Sequence, residues 1–199
     1  MALYSLYADI DNYSLIRFDR EELREKFGAN PKSHIDTGFK PVVFNDKWKR
    51  VSVTFEDGDG MIGSAIPDIM EFKAKLFLNP KAYQSLHHLL KGYGEFLPVS
   101  YQGAECFIFN PLSVAEDYDA VNETLCTKDE WGDITSMAFY EEKLAAVPIF
   151  KSAINKYQSL NCNDVLKQAI EENDLKGVYF TRDLGCPHSA KISAHLKTN

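Results

Sequence analysis

Two stretches of this sequence repeat the same order of structural signals. Residues 77–98 and residues 159–180 each contain an apolar strand, an asparagine, an amphipathic helical pattern, a glycine and an aromatic-rich strand. We expect Asn79 and Asn161 to cap the two helices. Because identity between the stretches is low, either an internal repeat or two strand–helix–strand units built on one sheet explains the pattern. Both explanations place helices against strands, which favours an α+β fold.

Three segments have the features of short helices. Residues 80–91 follow the N-cap Asn79 and carry apolar side chains at helical spacing. Residues 163–173 have the same spacing of apolar side chains, and residues 20–27 form a short helical segment that ends before Gly28. We therefore expect two or three short helices.

Several segments have the composition of strands. Residues 49–57 alternate apolar and polar side chains, and residues 95–111 predict a hairpin that turns at Gln102-Gly103. Further strands are expected at 3–18 (one or two strands, with a turn near Asp11-Asn12), 74–78, 134–140, 148–151 and 176–182.

The combined pattern predicts one α+β domain spanning residues 1–199, with a mostly antiparallel mixed sheet packed by two or three short helices. We expect a β-rich N-terminal part at 1–73, a core at 74–184 and a loosely held tail at 185–199. The predicted core residues are Val51, Val53, Phe55, Leu76, Leu78, Leu86, Leu90, Phe107, Phe109, Ile149, Phe150, Leu166, Ile170, Val178 and Phe180.

The charge balance restricts the class of partner. The chain contains 22 lysines and arginines against 29 aspartates and glutamates, which gives a formal net charge of −7. A negative surface repels phosphate backbones and anionic lipids, so binding to nucleic acid or to a membrane is disfavoured and a basic partner is favoured. The N-terminal residues lack the basic start of a secretory signal, and the four cysteines are scattered. Both features favour a cytoplasmic protein with reduced thiols.

Motifs of enzymes and cofactor sites are incomplete in this sequence. The glycines of Gly58-Asp-Gly60-Met-Ile-Gly63 resemble a nucleotide-binding loop, but Pro67 interrupts the helix that such a loop needs. The same segment also lacks the glycine of a calcium loop, since Ile62 stands in its place. No nucleophile elbow is present. We therefore expect no cofactor and no catalytic residues.

Two further groups of polar residues are candidates for chemistry. Cys186, His188 and His195 are metal-ligand types, but their spacing does not complete a zinc site. Asp9 and Asp11 lie on an expected strand and would face the same side, where two carboxylates could share a proton or a metal. A solvated strand end explains this pair more simply, so we expect no metal site.

Acidic segments at 56–59, 116–119, 129–133 and 141–142 are the strongest candidates for function. They form either a solvated surface or a docking face for a basic protein. Two of them contain an aromatic residue, and an aromatic side chain among carboxylates combines contact area with electrostatic steering. The candidate partner-binding residues are Asp57, Asp59, Glu116, Asp117, Tyr118, Asp119, Asp129, Glu130, Trp131 and Asp133.

Residues 74–182 contain a strand with a short capped helix, a strand pair leading into an acidic stretch, a short strand containing phenylalanine, and a final helix followed by a strand. Three motifs stand within this order: Asn110-Pro111-Leu112, Pro148-Ile149-Phe150 and Gly177-Val178-Tyr179-Phe180. The combination resembles a family of immunity proteins from bacterial polymorphic toxin systems. Residues 1–73 lie outside it.

This resemblance implies a cytoplasmic protein that binds and blocks a cognate toxin, with no catalytic residues of its own. The acidic composition suits a toxin with a basic face. The alternatives are an adaptor or chaperone for a secreted protein, and a small-ligand-binding protein or enzyme without a recognisable motif. The oligomeric state is left open.

Overall fold

The structure, a computed structural model, describes residues 1–30, 34–57 and 65–185. These residues form three α-helices and three sheets that are mostly antiparallel, so the predicted α+β fold is confirmed. Of the predicted tail at 185–199, only Gly185 lies within the described residues, and it is buried.

The largest sheet has six strands in the order β2-β3-β6-β7-β5-β4, and the β3–β6 pair is its parallel pair. The sheet curls until its two edge strands meet. Where they meet, the Ile16 N–H on β2 donates to the Met70 sulfur on β4 at 3.4 Å. The result is a nearly closed, barrel-like sheet. Its strands are β2 (Leu15–Phe18), β3 (Val51–Glu56), β4 (Ile69–Phe72), β5 (Lys75–Leu78), β6 (Gly94–Tyr101) and β7 (Ala104–Pro111).

A second sheet has four antiparallel strands in the order β10-β11-β1-β12. A third consists of the short pair β8–β9. The segment 3–18, predicted as one or two strands, therefore contributes β1 and β2 to two different sheets. The strands are β1 (Leu3–Ala8), β8 (Thr127–Lys128), β9 (Ile134–Ser136), β10 (Ile149–Phe150), β11 (Leu160–Asn163) and β12 (Val178–Thr181).

Each helix begins at a side chain that accepts hydrogen bonds from the first turn. Asp19 caps α1 (Arg20–Phe27), and Asn79 caps α2 (Pro80–Leu90) by accepting from the Ala82 N–H at 2.9 Å. Helix α3 (Asp164–Glu172) is capped by Asn163. The prediction of Asn161 as this cap is wrong, because β11 continues to Asn163 along β1.

The two similar stretches belong to different sheets. The first forms β5–α2–β6 in the six-stranded sheet, and the second forms β11–α3–β12 in the four-stranded sheet. Their helices share one hydrophobic core with Leu86 and Leu90 from α2 and Leu166 and Ile170 from α3. The explanation by two units on one sheet is therefore wrong: each unit belongs to its own sheet, and both supply a helix to this shared core.

Most predicted core residues are buried. A separate cluster inside the curled sheet contains Val51 and Val53, in agreement with the predicted alternation. Four predicted core residues are only half-buried: Phe55, Phe107, Val178 and Phe180. Phe55, Val178 and Phe180 pack against the fully buried residues of the two clusters. Phe107 stacks on Tyr83 with ring centroids 3.9 Å apart.

The prediction that Asp9 and Asp11 lie on a strand is wrong. Strand β1 ends at Ala8, and the Asp9 carbonyl then accepts the Tyr13 N–H at 3.0 Å in a turn. The Asp9 carboxylate accepts from the Asn12 side chain at 2.8 Å. The two aspartates are thus part of a turn between two sheets.

Candidate partner-binding surface

The acidic segment 129–133 forms the turn of the β8–β9 hairpin. The Asp129 carboxylate accepts the N–H groups of Trp131 at 3.0 Å and Asp133 at 2.9 Å. This is an Asx turn, in which an aspartate side chain organises the backbone that follows it. Asp129 therefore holds the turn in shape, and its neighbours present their side chains to solvent.

Trp131 is the most exposed large hydrophobic residue of the described chain, with 80% of its surface accessible. Glu130 beside it is also exposed. Burial of an indole against another protein removes much apolar surface from water, and tryptophan is enriched among the residues that dominate binding energy. An exposed tryptophan on an ordered turn is thus a ready anchor for a partner.

Glu116 has a structural role in the segment 116–119. Its Oε1 atom accepts hydrogen bonds from the Ser152 hydroxyl at 2.6 Å and from the N–H groups of Ala153 at 2.8 Å and Ile154 at 3.1 Å. The carboxylate thereby orders the start of the loop 152–157. Its neighbours Asp117 and Tyr118 are exposed.

The loop 152–157 connects two of the acidic segments in space. Glu116 holds the start of the loop, and near its end the Lys156 ammonium contacts the Asp133 carboxylate at 3.3 Å. The segments 116–119 and 129–133 therefore both contact one loop.

A third acidic segment, 141–142, joins this region. The Lys143 ammonium donates to the Asp119 carbonyl at 2.8 Å, and the Tyr140 N–H donates to the Ala120 carbonyl at 2.8 Å. The fold thus gathers three of the four predicted acidic segments. We define the acidic face as residues 117–119, 129–133 and 141–142.

The remaining acidic segment, 56–59, lies elsewhere. Asp57 follows β3 in the six-stranded sheet, and its carboxylate accepts the Ser14 hydroxyl at 2.8 Å. Asp59 lies outside the described residues. The glycine-rich motif 58–63 and the residues Cys186, His188 and His195 also lie outside them.

Sequence analysis missed a cluster of charged side chains in the interior. Lys75 on β5 and Lys151 after β10 are both buried. The Lys75 ammonium donates to the Gly38 carbonyl at 2.6 Å and to the Lys73 carbonyl at 3.2 Å, and the Lys151 ammonium donates to the Phe39 carbonyl at 3.2 Å. The sequence carried one signal of this buried cluster, which was a lysine within an apolar strand.

Desolvation shifts the pKa values of this cluster. It lowers the pKa of Lys75 to about 8, although the charges of Glu71 and Asp36 oppose the change. It lowers the pKa of Lys151 to about 7, with a further decrease from the charge of Lys75. It raises the pKa of Glu71 to about 7, even though the carboxylate accepts the Ala74 N–H. The cluster is arranged to hold backbone in place rather than to face solvent.

Metal-binding side chains do not converge within residues 1–30, 34–57 and 65–185, where no group of three or more histidines, cysteines and carboxylates could hold an ion. Of the helices in these same ranges, none combines the length and the apolar character that crossing a bilayer requires.

No protein-family model matches the chain, and no curated protein is significantly similar to it. The resemblance over residues 74–182 stays a prediction.

Proposed function

We propose that this protein is an immunity-type inhibitor that binds a cognate bacterial toxin in the cytoplasm and blocks it by occlusion. The observation that carries the proposal is the position of Trp131, exposed over 80% of its surface on an ordered turn within the acidic face. An apolar anchor surrounded by carboxylates suits a basic protein partner.

The charge distribution supports a role in association. The exposed carboxylates of the acidic face include those of Asp117, Glu130, Glu141 and Glu142, and the whole chain carries a formal charge of −7. Such a field attracts a basic protein and accelerates its encounter with the chain. Burial of the indole would then slow dissociation.

The motifs of the resemblance include packing residues, which leaves specificity for a partner to the surface. Asn110 is buried, and Gly177 leaves no room for a side chain, since a Cβ atom there would meet the Ile69 carbonyl and Pro67. Residues of this kind maintain a scaffold. The scaffold leaves the acidic face free to carry the specificity for one partner.

A survival assay tests this proposal. The chain is co-expressed with the protein encoded by the neighbouring reading frame, which we expect to be lethal alone and harmless together with the chain. Trp131→Ala should abolish protection, whereas Val43→Ala, which truncates another exposed apolar residue, should retain it. Equal protection by both variants would contradict the role of the acidic face. Restored secretion of the neighbouring protein, without protection, would favour the adaptor alternative.

Binding kinetics test the electrostatic part. The double variant Asp117→Lys/Glu130→Lys reverses two exposed charges of the acidic face without disturbing the turn that Asp129 holds. We expect association at low salt to slow by roughly tenfold. The matched variant Glu25→Lys/Asp46→Lys makes the same change of net charge outside this face. If both variants slow association equally, net charge rather than the acidic face is responsible.

A further inference from the structure

A cavity of about 590 Å³ opens between α1, β2 and the turn that joins β4 to β5. Four cationic side chains line it: Arg17, Arg20, Arg24 and Lys73. This is opposite in sign to the formal charge of −7 of the whole chain. The volume is within the range of about 300–1,000 Å³ that is typical of small-molecule sites.

Helix α1 contributes two of the four cations. Arg20 and Arg24 are one turn apart, so both line the same side of the helix. Glu22 points elsewhere, because its carboxylate binds Lys26 at 2.7 Å and accepts the Ser52 N–H at 2.8 Å. Of the charged residues of α1, Arg20 and Arg24 line the cavity, whereas the helix's three glutamates do not.

The other two cations come from separate elements. Arg17 lies on β2 and contacts the Glu56 carboxylate at 3.3 Å. Lys73 lies in the β4–β5 turn with a φ of 48°, a left-handed conformation, and its ammonium lies 4.9 Å from the centre of the Phe39 ring. Three parts of the chain thus bring positive charge to one cavity.

The lining of the cavity is also partly apolar and aromatic. Phe18 and Phe72 both contribute to it, with ring centroids 5.5 Å apart and planes inclined by 47°. Ile16 beside them is buried. Asp36 contributes one carboxylate, whose Oδ1 atom is buried and has no hydrogen-bond partner among the described residues. The cavity therefore offers an excess of cations and an aromatic surface, together with one carboxylate, which favours a ligand that also carries a hydrogen-bond donor.

The lining carries four cations against the one carboxylate of Asp36, and Glu56 already contacts one of these cations, Arg17. The remaining excess of positive charge favours an anion that binds among the cations. Arginine side chains match the oxygens of phosphate groups with paired N–H donors. We propose that this cavity binds a small organic phosphate, whose dianionic group lies among Arg17, Arg20, Arg24 and Lys73 and whose ring or apolar part lies on Phe18 and Phe72. The lining of this site shares no residue with the acidic face.

Calorimetric titration of the full chain at fixed ionic strength tests this site with three probes: phenyl phosphate, inorganic phosphate and benzoate. We expect phenyl phosphate to bind most tightly, inorganic phosphate more weakly because it lacks the ring, and benzoate most weakly because it carries a single charge. Benzoate binding as tight as phenyl phosphate would overturn the assignment to phosphates. Absence of phenyl phosphate binding at millimolar concentration would overturn the site.

Two charge-matched variants locate the binding. Arg20→Gln/Arg24→Gln should weaken phenyl phosphate binding by about tenfold or more, since it removes two of the four cations. Arginine and glutamine have similar helix propensities, and an unchanged thermal midpoint checks that the variant is folded. Lys91→Gln/Lys128→Gln removes two exposed cations elsewhere and should bind as the parent does. Equal weakening in both variants would show nonspecific attraction and overturn the proposal.

Discussion

Lys75 on β5 of the six-stranded sheet and Lys151, which directly follows β10 of the four-stranded sheet, donate their ammonium hydrogen bonds to the carbonyls of two consecutive residues, Gly38 and Phe39. This arrangement connects the six-stranded sheet, the four-stranded sheet and one irregular segment. Each buried ammonium group satisfies at least one backbone carbonyl, which offsets part of the free-energy cost of its desolvation.

These lysines predict an unusual dependence of stability on pH. A lysine whose pKa is lower in the folded chain binds fewer protons there than in the unfolded chain, so the free energy of unfolding rises with pH between the folded pKa and about 10.5. Glu71 acts oppositely: its raised pKa makes the free energy of unfolding fall with pH between 4.5 and about 7. The contribution of the cluster therefore has its minimum near neutral pH.

We expect the free energy of unfolding to rise by about 1 to 3 kcal/mol between about pH 7 and pH 9, and Lys151→Met to reduce this rise. Urea denaturation across this range measures it. Lys47→Met, at an exposed position, is the control and should keep the parent profile. Parallel profiles for the Lys151 variant and the parent would show that Lys151 is not the titrating group.

Glu95 on β6 holds the next part of the same segment. Its carboxylate accepts the N–H groups of Phe44 at 2.8 Å and Asn45 at 2.9 Å, and the Asn110 amide at 2.8 Å. Glu95→Gln places an amide donor among these donors, so we expect a loss of about 2 to 4 kcal/mol in the free energy of unfolding. Urea denaturation measures the loss, and hydrogen exchange should show faster exchange at Phe44 and Asn45.

Glu105→Gln serves as the control for this prediction. Glu105 is exposed on β7 and pairs with Arg50 at the surface. Its neutralisation should change the free energy of unfolding by less than about 1 kcal/mol. Similar losses in the two variants would mean that the Glu95 hydrogen bonds do not anchor the segment.

Glu116 and Asp117 are adjacent but should behave differently. Glu116→Ala leaves the N–H groups of Ala153 and Ile154 and the Ser152 hydroxyl without their acceptor, at an expected cost of about 1 to 3 kcal/mol. Asp117→Ala changes an exposed side chain and should cost less than about 0.5 kcal/mol. Thermal denaturation compares the two, and a larger loss for Asp117→Ala would reverse the roles assigned here.

The two tryptophans differ in environment, which fluorescence can detect. The Trp48 ring stacks on Phe27 with ring centroids 5.1 Å apart, and its indole N–H donates to the Pro98 carbonyl at 2.9 Å. Trp131, in contrast, is 80% exposed. We expect Trp131→Phe to move the emission to shorter wavelength and to reduce quenching by acrylamide, with an unchanged urea midpoint. Unchanged quenching would mean that Trp131 is covered in solution.

Short-range patterns determined the elements of this protein. The helix from Pro80 to Leu90 and the hairpin at Gln102-Gly103 were predictable, because a cap, a spacing or a turn depends on residues a few positions apart. The acidic segments were also visible in the sequence, as was Trp131 within one of them.

Only the tertiary structure decided how these parts meet. An amphipathic helix or strand can bury its apolar face against more than one sheet, so the division of the strands among three sheets depends on pairings between distant residues. The same long-range contacts place Lys75 beside Lys151, gather three acidic segments into one face, and bring Lys73 to Arg17, Arg20 and Arg24. Charges far apart in the chain carry no local signal of their later proximity. That proximity arises only when the two sheets pack together.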